Sequence, residues 1–124
     1  IKEISYVHAE GYAAGEMKHG PLAMINPEFP TFAIATKGDL LEKTFSNIEE
    51  IRARSGPVVA IGTAGHTAKL AKLVDDVIEI PDTLDQLSPL LSATALHLFA
   101  YHFATAKGYD VDHPRNLAKS VTVE

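Results

Sequence analysis

Three short apolar runs restrict the fold of this chain more than any other feature: residues 31–36 (TFAIAT), 58–61 (VVAI) and 77–80 (VIEI). Each has the length of a strand, lacks clean polar alternation and is bounded by breakers, with Pro27 and Pro30 before the first, Gly56-Pro57 before the second and Pro81 after the third. Between the first two, Leu40, Leu41, Phe45, Ile48 and Ile51 recur at helical spacing, with Glu42, Lys43, Glu49, Glu50, Arg52 and Arg54 covering the other side. Asp39, with Glu42 three residues on, reads as an aspartate variant of the capping box that starts this helix. Non-alternating strands separated by helices imply a parallel sheet covered on both faces, so the expected fold class is α/β, a three-layer sandwich with a parallel sheet. Such a sheet carries its ligand loops beyond the carboxyl ends of its strands.

The remaining segments fit around this unit. Residues 1–6 read as the end of a helix, and 7–14 as small and apolar enough for a further strand. Gly20-Pro21 reads as a helix start continuing to residue 25, because proline suits the first helical position. A small-residue turn, GTAGHT, leads to a short helix over 67–73, and a last helix over about 84–107 stops at Gly108. From Gln86 to Ala106 there is no Asp, Glu, Lys or Arg, which raises the question of a membrane span. Gln86, Ser88, Pro89, Ser92, Thr94, His97, His102 and Thr105 lie within that run, and desolvating so many polar groups argues for a buried helix instead. Leu90, Leu91, Leu98, Phe99 and Phe103 leave this helix apolar nearly all round, which implies a partner surface.

Composition removes several functions. With 124 residues, 46% hydrophobic, the chain fits one soluble globular domain. A net charge of −5 is not that of a phosphate-backbone binder, so no nucleic-acid partner is expected. Cysteine is absent, which removes thiolate nucleophiles and cysteine metal sites and is compatible with a cytoplasmic location. IKEISY lacks the basic and apolar regions of a signal peptide. No metal is expected: HExxH is absent, and His97 and His102, five residues apart, stand about 140° apart around a helix. They read instead as packed or interfacial. GTAGHTAK follows a strand and could offer backbone amides to an anion, but it does not fit GxxxxGK[ST].

Two longer stretches carry a resemblance. EISYVHAEGYAAGEMKHGPLAMI near the start and DVDHPRNLAKSVTVE at the end resemble the isomerase region and last residues of the glutamine:fructose-6-phosphate amidotransferase (glucosamine-6-phosphate synthase) family. The resemblance runs through the chain. It implies the larger part of the second of two sugar-isomerase (SIS) domains, over residues 1–109, followed by a C-terminal tail, 110–124. It also implies a fragment: the first strand of the SIS fold, the first SIS domain with its phosphate-binding Ser/Thr loops, and the glutaminase domain would all belong to a longer chain. A central sheet position would then be filled by rearrangement or by another chain.

The resemblance also assigns roles. Aldose–ketose isomerisation with amino transfer needs a base that moves a proton between adjacent carbons, a group that opens the sugar ring, and an activated carbonyl. Lys119, in AKSVTVE, matches the family's Schiff-base lysine, whose amine must be brought below its ordinary pKa of about 10.4 by burial or by cationic neighbours. Arg115 is a candidate neighbour. Glu3, in KEISY, matches the carboxylate base. His19, in KHGP, matches the histidine that assists ring opening and enters the site of a neighbouring subunit. Ala118 is implied to line the substrate site. The family carries a further catalytic lysine just before the position of Ile1. Fructose 6-phosphate and glucosamine 6-phosphate are the implied ligands, a homodimer the implied assembly, and no cofactor or membrane partner is implied.

Taken from their residue types alone, these positions have plainer readings: Glu3 as a surface carboxylate, His19 as a turn residue, Lys119 as a solvated charge on a loose tail. Two functions follow from different classes. One is the isomerase part of the synthase, converting fructose 6-phosphate and glutamine-derived ammonia to glucosamine 6-phosphate and inactive alone. The other is a non-catalytic phosphosugar-binding SIS module with a regulatory or dimerisation role, since the fold hosts both. A receiver-like α/β domain is more distant, because no acidic pocket pattern stands at the strand ends.

Overall fold

A computed structural model describes residues 1–116, which form two compact units: residues 12–95, and a second made of residues 1–11 with the chain from Leu96 onward. The larger unit holds three parallel strands in the order β1 (Thr31–Ala35), β2 (Val58–Thr63), β3 (Asp76–Ile80). Thr31 pairs with Val58 and Ala35 with Gly62; Val59 pairs with Asp76 and Thr63 with Ile80. β2 is central, with Val58, Ala60 and Ile61 wholly buried. A strand covered on both faces has no need of polar alternation, which is why it reads as a continuous apolar run. The edge strands β1 and β3 bury less, and β3 exposes Asp76 and Glu79, charges that discourage further pairing along that edge.

The helix α2 (Leu41–Arg52) joins β1 to β2 and packs on both. Phe45, Ile48 and Ile51 form its buried stripe and meet Ala35, Val58, Ala60 and Leu70 in one core cluster. Burial of side chains of this size contributes about 1.5–3 kcal/mol each. The expected capping box is not formed: Leu40 is the N-cap and no side chain caps the helix. Glu42 is engaged elsewhere, accepting from Lys69 Nζ at 2.5 Å, and the Gly38 carbonyl takes the Leu41 N–H instead. At the other end of α2, Arg52 Nη1 donates to Asp75 Oδ2 at 2.6 Å and to the Gly56 carbonyl at 3.1 Å. The same carboxylate oxygen accepts the Val58 N–H at 2.7 Å. One ion pair thus ties the helix to the beginnings of β2 and β3.

Several expectations are corrected. Residues 7–13 form no strand; they are largely exposed and run into a 3-10 helix, Ala14–His19. Their alanines have little strand propensity and no partner face to bury. The segment at Gly20-Pro21 closes as a single 3-10 turn, Pro21–Met24, whose Leu22 joins the core together with Ile25. Only Leu70–Lys72 is helical within 67–73, because so short a segment barely repays its nucleation. The last helix, α3 (Ser88–Ala106), begins later than expected, after a 3-10 turn at Asp85–Leu87, with Ser88 Oγ donating to the Asp85 carbonyl at 2.8 Å. It is also not a buried helix. Only Ser92 and Ala104 on it are buried, while Leu90, Leu98 and Tyr101 are exposed. Among the described residues no helix is long and apolar enough to cross a membrane.

In the smaller unit, α1 (Lys2–Ser5) is a single turn. Ser5 donates twice to the Ile1 carbonyl, from its N–H at 3.0 Å and its hydroxyl at 2.7 Å. Gly108, at φ 76, ends α3 in the left-handed conformation that only glycine adopts without strain.

Candidate active site

Glu3 and His19 fall in different compact units, so each is considered in its own. Glu3 stands in the turn of α1 with its side chain exposed. That turn ends on Tyr6 at φ 57, ψ 25, a left-handed conformation uncommon for a bulky residue, held by the Tyr6 N–H donating to the Lys2 carbonyl at 3.1 Å. The ring of Tyr6 meets the edge of Tyr109 with centroids 4.9 Å apart. On the same ring lies the guanidinium of Arg115, its central carbon 4.0 Å from the centroid, while the Arg115 N–H donates to the Tyr6 hydroxyl at 3.0 Å. The end of the turn that carries Glu3 is therefore also the anchor of the tail's first residues.

The tail begins in a local turn. Asp110 Oδ1 accepts the backbone N–H groups of Asp112 at 2.9 Å and His113 at 3.2 Å, and Oδ2 lies 3.1 Å from His113 Nδ1. The Asp112 amide first, then the His113 side chain and amide, hold the Asp110 carboxyl below the usual carboxylate range. Lys107 Nζ sits 5.6 Å from the Phe103 ring centre and 6.0 Å from that of Tyr109. Lysine, arginine and histidine thus gather at the tail's beginning. Lys119 and Ala118 lie outside the described residues.

His19 closes the 3-10 helix Ala14–His19 in the larger unit. Its side chain is 76% exposed, with Nε2 4.0 Å from Glu16 Oε2, so the ring is accessible to a proton donor or acceptor from outside the unit. The backbone beneath it is fixed. Lys18 Nζ pairs with Glu50 Oε1 on α2 at 2.8 Å, and Met17 packs against the core.

At the carboxyl edge of the sheet, where this fold class places ligand loops, several polar groups pair with one another. The Lys37 N–H donates to Thr63 Oγ1 at 3.0 Å, and its amine pairs with Asp82, whose carboxyl that hydrogen bond holds below the usual range. In the GTAGHTAK loop, Ala64 N–H is taken by the Ile80 carbonyl and His66 N–H by the Thr63 carbonyl. Two amides an anion would need are spent within the fold. His97 and His102 are exposed, with the His102 ring set T-shaped to that of Tyr101 at 5.2 Å between centroids, and no group of three His, Asp or Glu that could hold a metal occurs among the described residues. Tyr6 and Tyr109 carry no signal in the sequence, because nothing in their local pattern distinguishes them from ordinary surface tyrosines.

A family model described as the SIS domain matches residues 1–107. Among curated proteins, the glutamine–fructose-6-phosphate aminotransferase (isomerizing) of Bacteroides thetaiotaomicron is 57% identical over 124 residues, covering 100% of this chain and 20% of that protein. The protein of the same name from Thermus thermophilus is 56% identical with the same coverage. Among solved structures, the C-terminal domain of glucosamine-fructose-6-phosphate aminotransferase from Francisella tularensis superposes with a TM-score of 0.80 at 39% identity, covering 89% of this chain and 31% of that one. The chain thus spans about a fifth of the curated relatives it matches.

Proposed function

This chain belongs to the SIS domain family, and on that premise we propose that it is the C-terminal part of the isomerase region of a cytoplasmic glutamine–fructose-6-phosphate aminotransferase. Residues 1–109 belong to the second SIS domain and 110–124 form a catalytic tail. The observation that carries this reading is identity of 57% along the whole chain to a relative of that name. The net reaction joins fructose 6-phosphate and ammonia into glucosamine 6-phosphate and water.

Each residue has a defined task in this reading. His19, reaching the site of a second copy in a homodimer, moves the proton that opens the sugar ring. The Lys119 amine adds to the exposed C2 carbonyl and expels water as the Schiff base forms; ammonia then displaces the lysine and leaves the C2 imine. Glu3 removes a proton from C1, the imine nitrogen takes one up, and a proton is returned at C2 as the C1 hydroxyl gives up its own, which leaves the aldehyde at C1 and the amine at C2. Ala118 lines the sugar site. The accessibility of Glu3 and His19 supports these tasks, since both must meet groups supplied from outside their own units. The first SIS domain would supply the phosphate loops and the glutaminase domain the ammonia, so the 124-residue segment by itself makes no glucosamine 6-phosphate.

Borohydride reduction tests the assignment. The longest native chain containing this segment is incubated with fructose 6-phosphate, reduced and mapped by peptide mass. A reduced adduct at Lys119, absent from Lys119→Ala, is expected. A folded protein that binds the sugar and yields no adduct there is instead a phosphosugar-binding regulatory module.

A further inference from the structure

The strongest contact that the proposed chemistry leaves unused is the one between Tyr6 and Arg115, and we infer that Tyr6 is a positioning residue that clamps the beginning of the tail so that Lys119 is presented to the sugar. The inference rests on the proposed role of Lys119. Three observations support it. First, one side chain holds Arg115 in two ways: its hydroxyl accepts the backbone N–H at 3.0 Å and its ring face receives the guanidinium at 4.0 Å. A bond to the backbone fixes the path of the chain as well as the side chain. Second, Tyr6 adopts φ 57, and a bulky residue held in the left-handed region marks a place where surrounding structure demands a particular direction. Third, the clamp starts from the turn that carries Glu3, so the proposed base and the path toward the proposed nucleophile share one anchor.

The clamp acts on presentation of the amine and not on recognition of the sugar phosphate.

The test uses the full-length chain carrying Tyr6→Phe, which removes the hydroxyl acceptor and keeps the ring, Tyr6→Leu, which removes both contacts, and Arg115→Met. Three readouts are compared with wild type: deuterium uptake in the peptide spanning residues 107–116, the rate of borohydride-trapped adduct formation at Lys119, and steady-state kinetics for fructose 6-phosphate. Faster uptake in all three variants is expected, with adduct rate and kcat falling about two- to fivefold in Tyr6→Leu, the factor that an exposed cation–π contact of about 0.5–1 kcal/mol corresponds to, less in Tyr6→Phe, and KM unchanged. Should Tyr6→Leu fail to fold, Tyr6→Phe and Arg115→Met decide the matter. Wild-type uptake and kcat in the folded variants overturns the clamp, as does a loss confined to KM. Absence of any Lys119 adduct in the wild type is a different failure: it removes the proposed chemistry itself, and with it the purpose of the clamp.

Discussion

The backbone N–H of Arg115 donates to the hydroxyl of Tyr6 at 3.0 Å, while the guanidinium of the same arginine lies 4.0 Å from the centre of the Tyr6 ring. The two residues are 109 positions apart in sequence. Their contact gives the smaller unit a fixed joint between its first helical turn and the beginning of the tail.

The guanidinium part of that joint has a measurable worth. Both the ring and the cation are accessible to water, so their attraction is worth about 0.5–1 kcal/mol. Arg115→Met retains the length and apolar stem of the side chain and loses the charge. Hydrogen exchange at the Arg115 amide should accelerate about two- to fivefold, the factor that energy corresponds to, while exchange in β2 is unchanged. An equal acceleration in both places would mean that the substitution acts on global stability.

The Asp110 turn should respond to acid in a predictable sense. Its carboxyl is held below the usual range by the Asp112 amide first and by His113 next. A depressed folded-state pKa contributes stability that is fully present above the ordinary aspartate value of about 3.9 and is lost as pH falls through the lower, folded value. Below about pH 4 the amide resonances of Asp112 and His113 should therefore shift as the Asp110 carboxyl takes up its proton. In Asp110→Asn the neutral amide still offers an acceptor oxygen, so the turn persists and this acid response disappears. An acid response that survives in Asp110→Asn would place its origin elsewhere.

Gly62 tests the packing beside the carboxyl edge of the sheet. A Cβ built there would lie 2.8 Å from Leu70 Cδ2 and 2.8 Å from Thr67 Cγ2, distances that real side chains do not tolerate. Leu70 is only 1% exposed and cannot swing aside into solvent. Gly62→Ala should cost about 1–3 kcal/mol, read as a lowered unfolding midpoint. Gly11→Ala, whose added carbon meets nothing within 4 Å, should leave the midpoint in place.

Much of the sheet was legible because buried parallel strands leave an unmistakable mark. Residues 31–36, 58–61 and 77–80 each fall on a strand, within a residue or two at the ends. Burial on both faces suppresses polar alternation, and Pro or Gly marks the limits. The Asp39–Glu42 capping box was misleading because a carboxylate one turn away from a cap has a competing partner in Lys69, a contact across the fold that spacing cannot reveal. Residues 7–14 carried only Val7 and Tyr12 as strand formers among small and polar residues, and composition alone does not supply a neighbouring strand. Glu3 and His19 are exposed residues that only the matching words singled out, and Lys119 and Ala118 lie outside the described residues. The Tyr6–Arg115 contact had no signature at all: two ends of a chain met through folding, with no period or motif to announce it.

The proposed division of labour between Glu3 and His19 can be tested by mixing two defective proteins. In the full-length chain, Glu3→Gln keeps the lysine chemistry but removes the proton shuttle, so the Lys119 adduct should still form while turnover falls about 10²–10⁴-fold. His19→Asn should slow adduct formation as well, because it acts before the carbonyl is exposed. If His19 serves the site of a second copy in a symmetric dimer, a mixed dimer of the two variants contains one site with both residues intact and one with neither. Reassociation of equal amounts makes half of the dimers mixed, each with one working site of two, and should restore about a quarter of wild-type turnover by that pairing arithmetic. If both residues serve their own subunit's site, every site keeps one defect and mixing restores nothing. Recovery measured against time after mixing, at subunit exchange rates, separates these cases without any assumption about how the two compact units are arranged.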